Sequence, residues 1–222
     1  AVFTTKAYFA QLYDDTQKFI VEMLPNSNTN IIEVGCGTGE SLVSLTDYAR
    51  HCVGIDFNPL FIDFCKKKTS KKENLSFIEM DATKLVQKLL PKYKGHHNVV
   101  TCLGNTVGIM PKEVRDNILV QMGEFVETQG VAIVVYWNGN SFGDAVQNFY
   151  HKNPQLCGRF TGANVDFDNC VLETNSGYRT HWTTPVEARQ EMERLNLEII
   201  RIEEKGKGVL VAFRKKLCTR VI

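Results

Sequence analysis

The residues with the clearest capacity for chemistry form a glycine loop after a short apolar run. The run Asn30–Val34 leads into Gly35-Cys-Gly37-Thr-Gly39-Glu40. Glycines at this spacing let the backbone turn tightly and approach a ligand, while amides at the start of the next helix point toward it. A dinucleotide-binding loop has its third glycine five residues after the first, where this sequence has Glu40. This carboxylate disfavours a pyrophosphate and favours a phosphate-free ligand with a positive charge.

Two more acids come directly after the next two predicted strands. Asp56 ends the second strand, where a carboxylate can accept hydrogen bonds from both ribose hydroxyls of a nucleoside bound over the strand ends. Asp81 follows the third strand and suits the exocyclic amine of adenine, with Phe57 and Met80 placed to enclose the ring. A single acid at a strand end is more often a cap or turn residue, so the prediction depends on the order of all these features.

The elements that must position these residues alternate between β-rich runs and helical patterns, which is typical of a parallel sheet with crossover helices. Parallel strands are predicted near 30–34, 52–56, 75–79, 98–103 and 130–136, and two further strands near 197–202 and 209–213. The short connection between the last two makes them an antiparallel hairpin. Helices are predicted over 40–49, from Pro59, after Pro111 and from Thr184. The fold class is therefore α/β: a doubly wound, Rossmann-like sheet of about seven strands, mostly parallel with an antiparallel C-terminal hairpin.

The 222 residues form one predicted domain, 1–222, with 138–182 as an inserted substrate lobe and 1–24 as a helical N-terminal lid. With 26 basic and 25 acidic residues the net charge is +1, which disfavours binding of nucleic acid through its phosphates. No apolar stretch approaches the roughly 18 residues of a membrane helix. Seven cysteines without a Cys-x-x-Cys pair predict no metal site and a reducing, cytoplasmic compartment.

The loop and the two acids together resemble the class I S-adenosylmethionine-dependent methyltransferases, over essentially the whole chain. In that family the glycine loop holds the methionine end of the cofactor, the acid after strand two holds the ribose, and an Asp after strand three holds adenine. The resemblance implies S-adenosyl-L-methionine as cofactor and S-adenosyl-L-homocysteine as product. The predicted cofactor-binding residues are Glu33, Gly35, Cys36, Gly37, Asp56, Phe57, Met80, Asp81, Ala82 and Leu103.

The segment after strand four narrows the class of acceptor. The base-modifying branch of the family has a Pro-Pro-aromatic motif there, and the catechol branch has metal-binding carboxylates. Thr101-Cys-Leu-Gly-Asn105 and the adjoining Thr106 provide neither. The basic run Lys66–Lys72 is interpreted as a solvated helix end rather than an RNA site. These absences leave a small molecule as the predicted acceptor.

Asn105 is the predicted catalytic residue, because its amide could orient a nitrogen nucleophile. Arg179 is a natural bidentate partner for an acceptor carboxylate, so its loss is expected to raise the KM for the acceptor. Aromatic side chains could stack on a flat or cationic amine, or could simply pack the lobe onto the sheet. The predicted substrate-binding residues are Tyr8, Tyr13, Asn105, Trp137, Asn138, Tyr178 and Arg179.

Segments Cys102–Met110, Tyr136–Gly143 and Phe149–Cys157 are similar to the methyltransferase module of ovothiol biosynthesis. That module is a stand-alone enzyme or the C-terminal part of a bifunctional 5-histidylcysteine sulfoxide synthase. The resemblance implies methylation of an imidazole nitrogen of 5-thiohistidine. Three alternatives stay open: another amine acceptor (glycine-like or the histidine α-amine), a protein or RNA methyltransferase, and a non-catalytic cofactor-binding module. The expected partner is a small-molecule substrate, without nucleic acid or membrane, in a homodimer or as a module of a larger bifunctional chain.

Overall fold

A seven-stranded sheet forms the centre of the protein, whose computed structural model describes residues 2–126 and 130–216. Ala1 of the predicted lid and Cys218 lie outside the described residues. The strands are β1 Asn30–Val34, β2 His51–Asp56, β3 Leu75–Glu79, β4 Asn98–Cys102, β5 Val131–Trp137, β9 Leu197–Lys205 and β10 Gly208–Lys215. A smaller sheet contains β6 Val165–Asp166, β7 Val171–Glu173 and β8 Arg179–His181.

The order in the large sheet is β3-β2-β1-β4-β5-β10-β9. The first five strands pair in parallel, and β10 pairs antiparallel with both β5 and β9. Every residue of β1 and of β4 is buried, because central parallel strands are covered on both faces. The predicted α/β fold with an antiparallel C-terminal hairpin is therefore confirmed. The order reverses between β1 and β4, and this is where open α/β sheets bind ligands.

Eight α-helices are found in the described part of the chain. They are α1 Val2–Met23, α2 Glu40–Leu45, α3 Pro59–Lys68, α4 Leu85–Tyr93, α5 Lys112–Phe125, α6 Phe142–Ala145, α7 Pro154–Cys157 and α8 Pro185–Arg194. Side chains of α1, α2 and α3 pack on one face of the sheet, and those of α4, α5 and α8 pack on the other. None of these helices is long and apolar enough to cross a membrane.

Local sequence signals account for several helix boundaries. The Asn58 side chain accepts a hydrogen bond at the start of α3, and Thr184 forms a capping box with Glu187 at the start of α8. The prediction of a helix over 40–49 was too long, since α2 ends at Leu45. The Thr46 hydroxyl donates to the Val43 carbonyl there, and such a side-chain bond competes with continuation of the helix.

Helix α1 is anchored to parts of the chain that are far away in sequence. The Phe9 ring stacks on Trp137 at the end of β5, with ring centres 4.5 Å apart. Tyr8 donates to Asp144 at 2.5 Å, and Arg201 of β9 donates to Glu22 at 2.8 Å. These contacts hold α1 along the edge of the sheet where the candidate site lies.

Candidate functional site

The loop between β1 and α2 has the backbone conformation that its glycines permit. Gly35 has φ +68°, and a Cβ there would lie 2.5 Å from the Thr106 methyl group. Gly37 has φ +50°, and a Cβ there would meet no atom within 4 Å. Both positions have the left-handed backbone that favours glycine. At Gly35 a side chain would also clash with the turn after β4, whereas Gly37 borders open space.

Asp56 holds this loop in place from the end of β2. One carboxylate oxygen accepts a hydrogen bond from the Gly37 amide at 3.0 Å, and the other accepts from the Asn58 amide at 2.9 Å. The side chain is 8% exposed. One carboxylate thus joins the glycine loop to the start of α3, and Asp56 itself does not border the cavity beside the loop.

Glu33, the fourth residue of β1, places a carboxyl group beneath the loop. It is 4% exposed, and its Oε2 atom makes no hydrogen bond. Burial, together with the negative charge of Asp56, raises the pKa of the Glu33 carboxyl to about 8, because desolvation and a like charge both disfavour the ionised form. A buried oxygen without a partner beside a cavity suits a ligand that carries a hydrogen-bond donor or a positive charge.

The loop, the turn after β4, the end of β5 and one side of α1 enclose a cavity of about 520 Å³. This volume lies in the range of small-molecule sites. Seven of the predicted site residues line it: Glu33, Gly35, Cys36, Gly37, Leu103, Tyr13 and Trp137. Sequence reasoning missed the other contributions of α1, among them Phe9, Asp14 and Gln17. Phe9, Tyr13, Gln17 and Ile20 of the wall recur every three or four residues along α1, and this helical spacing is a signal that could have identified the face.

The Asn105 side chain, predicted to orient the nucleophile, makes its hydrogen bonds within the protein. Asn105 is 1% exposed and lies outside the cavity wall. Its amide nitrogen donates to the Thr180 hydroxyl and the His181 carbonyl at 3.2 and 3.1 Å, and its amide oxygen accepts from the Trp137 backbone at 3.0 Å. Asn105 therefore joins the ends of β4 and β5 to β8 as a positioning residue.

Asn138 and Arg179 also lie away from the cavity. Asn138 is 1% exposed, and its amide nitrogen donates to Glu204 and to the Gly206 carbonyl, both at 2.8 Å. Arg179 is 46% exposed and lies 3.5 Å from Glu173, its partner on the small sheet. Neither residue therefore reaches a molecule in the cavity with the side chain in this position.

Two of the predicted aromatic residues pack against the lobe and not around the cavity. Tyr8 stacks on Phe149 and donates to Asp144, outside the cavity wall. Tyr178 packs against Tyr150, and the ring centres are 6.1 Å apart. Trp137 differs from both because it stacks on Phe9 and also borders the cavity.

The residues predicted to hold adenine follow β2 and β3 and border no part of the 520 Å³ cavity. Asp81 accepts from the Thr83 amide and hydroxyl at 2.9 and 2.7 Å, and the Met80 amide donates to the Asp56 carbonyl at 2.9 Å. The Phe57 side chain is 77% exposed, so its ring is free to pack on a ligand. Together with Ala82, these residues remain predictions for the adenosine end of a bound cofactor.

Comparison with known proteins agrees with this geometry. Residues 31–130 match the family model of the methyltransferase domain. A segment of 69 residues is 30% identical to the putative methyltransferase YqeM of Bacillus subtilis, but it covers only 31% of this chain and 28% of YqeM.

Solved structures show the same fold at low identity. The CcbJ methyltransferase of Streptomyces caelestis has a TM-score of 0.63 and 15% identity, covering 93% of this chain and 90% of CcbJ. Magnesium protoporphyrin IX methyltransferase from Synechocystis, solved with bound S-adenosylhomocysteine, has a TM-score of 0.62 and 14% identity, covering 92% and 83%. The chain therefore has the fold of these methyltransferases, and its residues 31–130 match the methyltransferase domain.

The residues at the site fit S-adenosylmethionine, the cofactor of methyltransferases with this fold. The unpartnered Oε2 of Glu33 suits the ammonium group of the methionine end, and the open space beside Gly37 leaves room for that end to approach the loop. Asp56 lies at the strand end where a ribose is held in α/β folds. These residues therefore fit S-adenosylmethionine as a cofactor.

Proposed function

We propose that the chain transfers a methyl group from S-adenosylmethionine to a nitrogen atom of a small molecule, and that this atom is an imidazole nitrogen of 5-thiohistidine. The observation that supports a small acceptor is the cavity of about 520 Å³, which α1 borders on one side. The three segments that resemble the ovothiol methyltransferase module support the choice of 5-thiohistidine.

Glu33, the amides of the glycine loop and Asp56 would hold the cofactor, with Asp81 and Phe57 at the adenine end. When bound, S-adenosylmethionine supplies a methyl group on a positively charged sulfur, which a neutral nitrogen can accept in one displacement. The nitrogen becomes positively charged as the sulfonium becomes a thioether, so the total charge in the cavity does not change during the displacement. The protein therefore contributes mainly by positioning, which can supply on the order of 7–11 kcal/mol.

The residues around the cavity have distinct parts in that positioning. Trp137 and Phe9 stack on each other and form an apolar wall that would exclude water from the reacting nitrogen. Asn105 fixes the end of this wall, because its side-chain oxygen accepts a hydrogen bond from the Trp137 amide.

A second acceptor class, a different aliphatic or aromatic amine, is favoured by one observation: the ionisable residues that line the cavity in the described part of the chain are all acidic.

The test is incubation of the purified protein with methyl-labelled S-adenosylmethionine and one candidate at a time: 5-thiohistidine, histidine, glycine and histamine. Mass spectrometry identifies the methylated product, and NMR identifies the atom that gained the carbon. We expect transfer to an imidazole nitrogen of 5-thiohistidine, and no transfer by an Asp56→Ala control. Transfer to sulfur or to an α-amine, or preferential labelling of added RNA or protein, would contradict the proposal.

A further inference from the structure

The charged groups on the cavity wall have one sign. The wall includes Asp14, Glu33 and Glu40, and no lysine, arginine or histidine among the residues that the structure describes. Glu33 keeps its proton at neutral pH because burial raises its pKa to about 8. Glu40 lies 3.5 Å from the Lys68 ammonium group. Of these three described acids, Asp14 is therefore the carboxylate whose charge is not balanced by a cation.

Asp14 occupies a distinct position in the cavity. It belongs to α1, whereas Glu33 lies near the end of β1 beneath the glycine loop that would hold the cofactor. No hydrogen bond or ion pair joins Asp14 to any other residue in the described part of the chain. The Phe9 and Trp137 rings border the same cavity, and aromatic faces attract organic cations. A carboxylate and aromatic rings on one cavity wall suit a cationic organic amine.

A second, independent observation indicates that this cavity receives a ligand with donor groups. The Oε2 atom of Glu33 is buried without a partner at the cavity wall. Unpartnered buried oxygens are rare in proteins and are commonly satisfied by a bound molecule or water. The cofactor's methionine end would satisfy Glu33, which leaves the charge of Asp14 for the other molecule in the cavity.

We propose that Asp14 binds an ammonium group of the methyl acceptor, at a point separate from the nitrogen that is methylated. The inference rests on the proposed function and narrows its substrate class: the acceptor carries a cationic amine as well as a neutral nucleophilic nitrogen. The acceptor is recognised through this amine rather than through a carboxylate, for which the described wall offers no cationic side chain. 5-Thiohistidine belongs to this class through its α-amine.

The test compares two ligands that share an imidazole ring and differ in the charge of the side chain. Histamine carries an ammonium group, and imidazole-4-propionate carries a carboxylate. Calorimetric titration into protein saturated with S-adenosylhomocysteine measures the affinity of each. We expect histamine to bind at least about fivefold more tightly, which is the strength of a partly solvated ion pair. Asp14→Asn should remove this preference by weakening histamine binding about fivefold and leaving imidazole-4-propionate unchanged or slightly tighter.

Asp15→Asn is the matched control, because it removes an equal charge from the next position of α1. Asp15 accepts a hydrogen bond from Gln11 at 3.1 Å and does not border the cavity. Histamine affinity should be the same in Asp15→Asn as in the wild type. Equal losses in both variants, equal affinity of the wild type for both ligands, or no histamine binding would overturn the inference. So would a weaker affinity of Asp14→Asn for S-adenosylhomocysteine, because Asp14 would then hold the cofactor.

The identity of the acceptor and the role of Asp14 can be refuted separately. If 5-thiohistidine is methylated and Asp14→Asn leaves its KM unchanged, the function stands and the role of Asp14 is refuted. If no imidazole is methylated while the ammonium preference depends on Asp14, the choice of 5-thiohistidine is refuted and the role of Asp14 stands.

Discussion

Replacing Glu33 with glutamine removes a buried acid and keeps the size and shape of the side chain. Glu33 is 4% exposed, and its Oε2 atom has no hydrogen-bond partner. Burial and the charge of Asp56 raise the pKa of its carboxyl from 4.5 to about 8. The stability of the ligand-free protein should therefore depend on pH through this residue, and the dependence should disappear in Glu33→Gln.

The sign and size of the effect depend on proton binding. Below pH 4.5, Glu33 is protonated in both the folded and the unfolded chain and adds no pH dependence. Between pH 4.5 and about 8 the unfolded chain has released this proton while the folded chain retains it, so the free energy of unfolding falls as pH rises. Because each pKa unit corresponds to about 1.4 kcal/mol, the full loss above pH 8 is about 5 kcal/mol.

The assay is urea unfolding of the ligand-free wild type and Glu33→Gln at about pH 5 and about pH 8, which span the window between the two pKa values. The stability of the variant relative to the wild type should increase by several kcal/mol between the two pH values. Glu113→Gln, which removes an exposed acid from the first turn of α5, shows whether removing any carboxylate has the same result. A relative stability of Glu33→Gln that is the same at both pH values would refute the reasoning. So would a relative stability that falls as pH rises.

Three further substitutions test other parts of the site. Asp56→Ala removes the hydrogen-bond acceptor for the Gly37 and Asn58 amides and the carboxylate proposed to bind the ribose. Calorimetry should therefore show at least about a hundredfold loss of S-adenosylhomocysteine affinity. Unchanged affinity would refute the ribose assignment. Asn105→Ala leaves the Trp137 amide without its acceptor and should lower the free energy of unfolding by about 3 kcal/mol. A large loss of kcat with unchanged stability would instead restore the catalytic role predicted from sequence. Arg179→Ala should leave the acceptor KM within about twofold, since its partner is the exposed Glu173, and a clear rise in KM would show that Arg179 moves to meet the acceptor.

The glycine loop and the acid that holds it were predictable because their signals are local. Gly35 and Gly37 are needed for their backbone conformation, and Asp56 comes at the end of the strand that places it. Parallel strands bring their carboxyl ends to one edge of the sheet, so residues that follow successive strands must meet there. The same local logic placed Asn58 and Thr184 at the starts of their helices.

The positions of the polar residues predicted to bind an acceptor were less predictable, because such side chains have many available partners. Asn105 was expected to face the acceptor, but its amide is bonded to Thr180 and His181, more than seventy residues further along the chain. Asn138 bonds to Glu204 and Gly206 of the C-terminal hairpin in the same way. A buried amide must satisfy its donors and acceptor, and only the assembled fold determines which groups do so.

The sequence by itself determined the succession of strands and helices along the chain, the antiparallel end of the sheet and the glycine loop, since these depend on hydrophobic periodicity, short connections and glycine. Tertiary structure decided which side chains line the cavity. Asp14 and Phe9 reach it because α1 packs against the end of β5 through the stack of Phe9 on Trp137. The residues next to Asp14 in the sequence do not specify this packing of α1 on β5. Its free energy comes from contacts between surfaces that lie far apart along the chain.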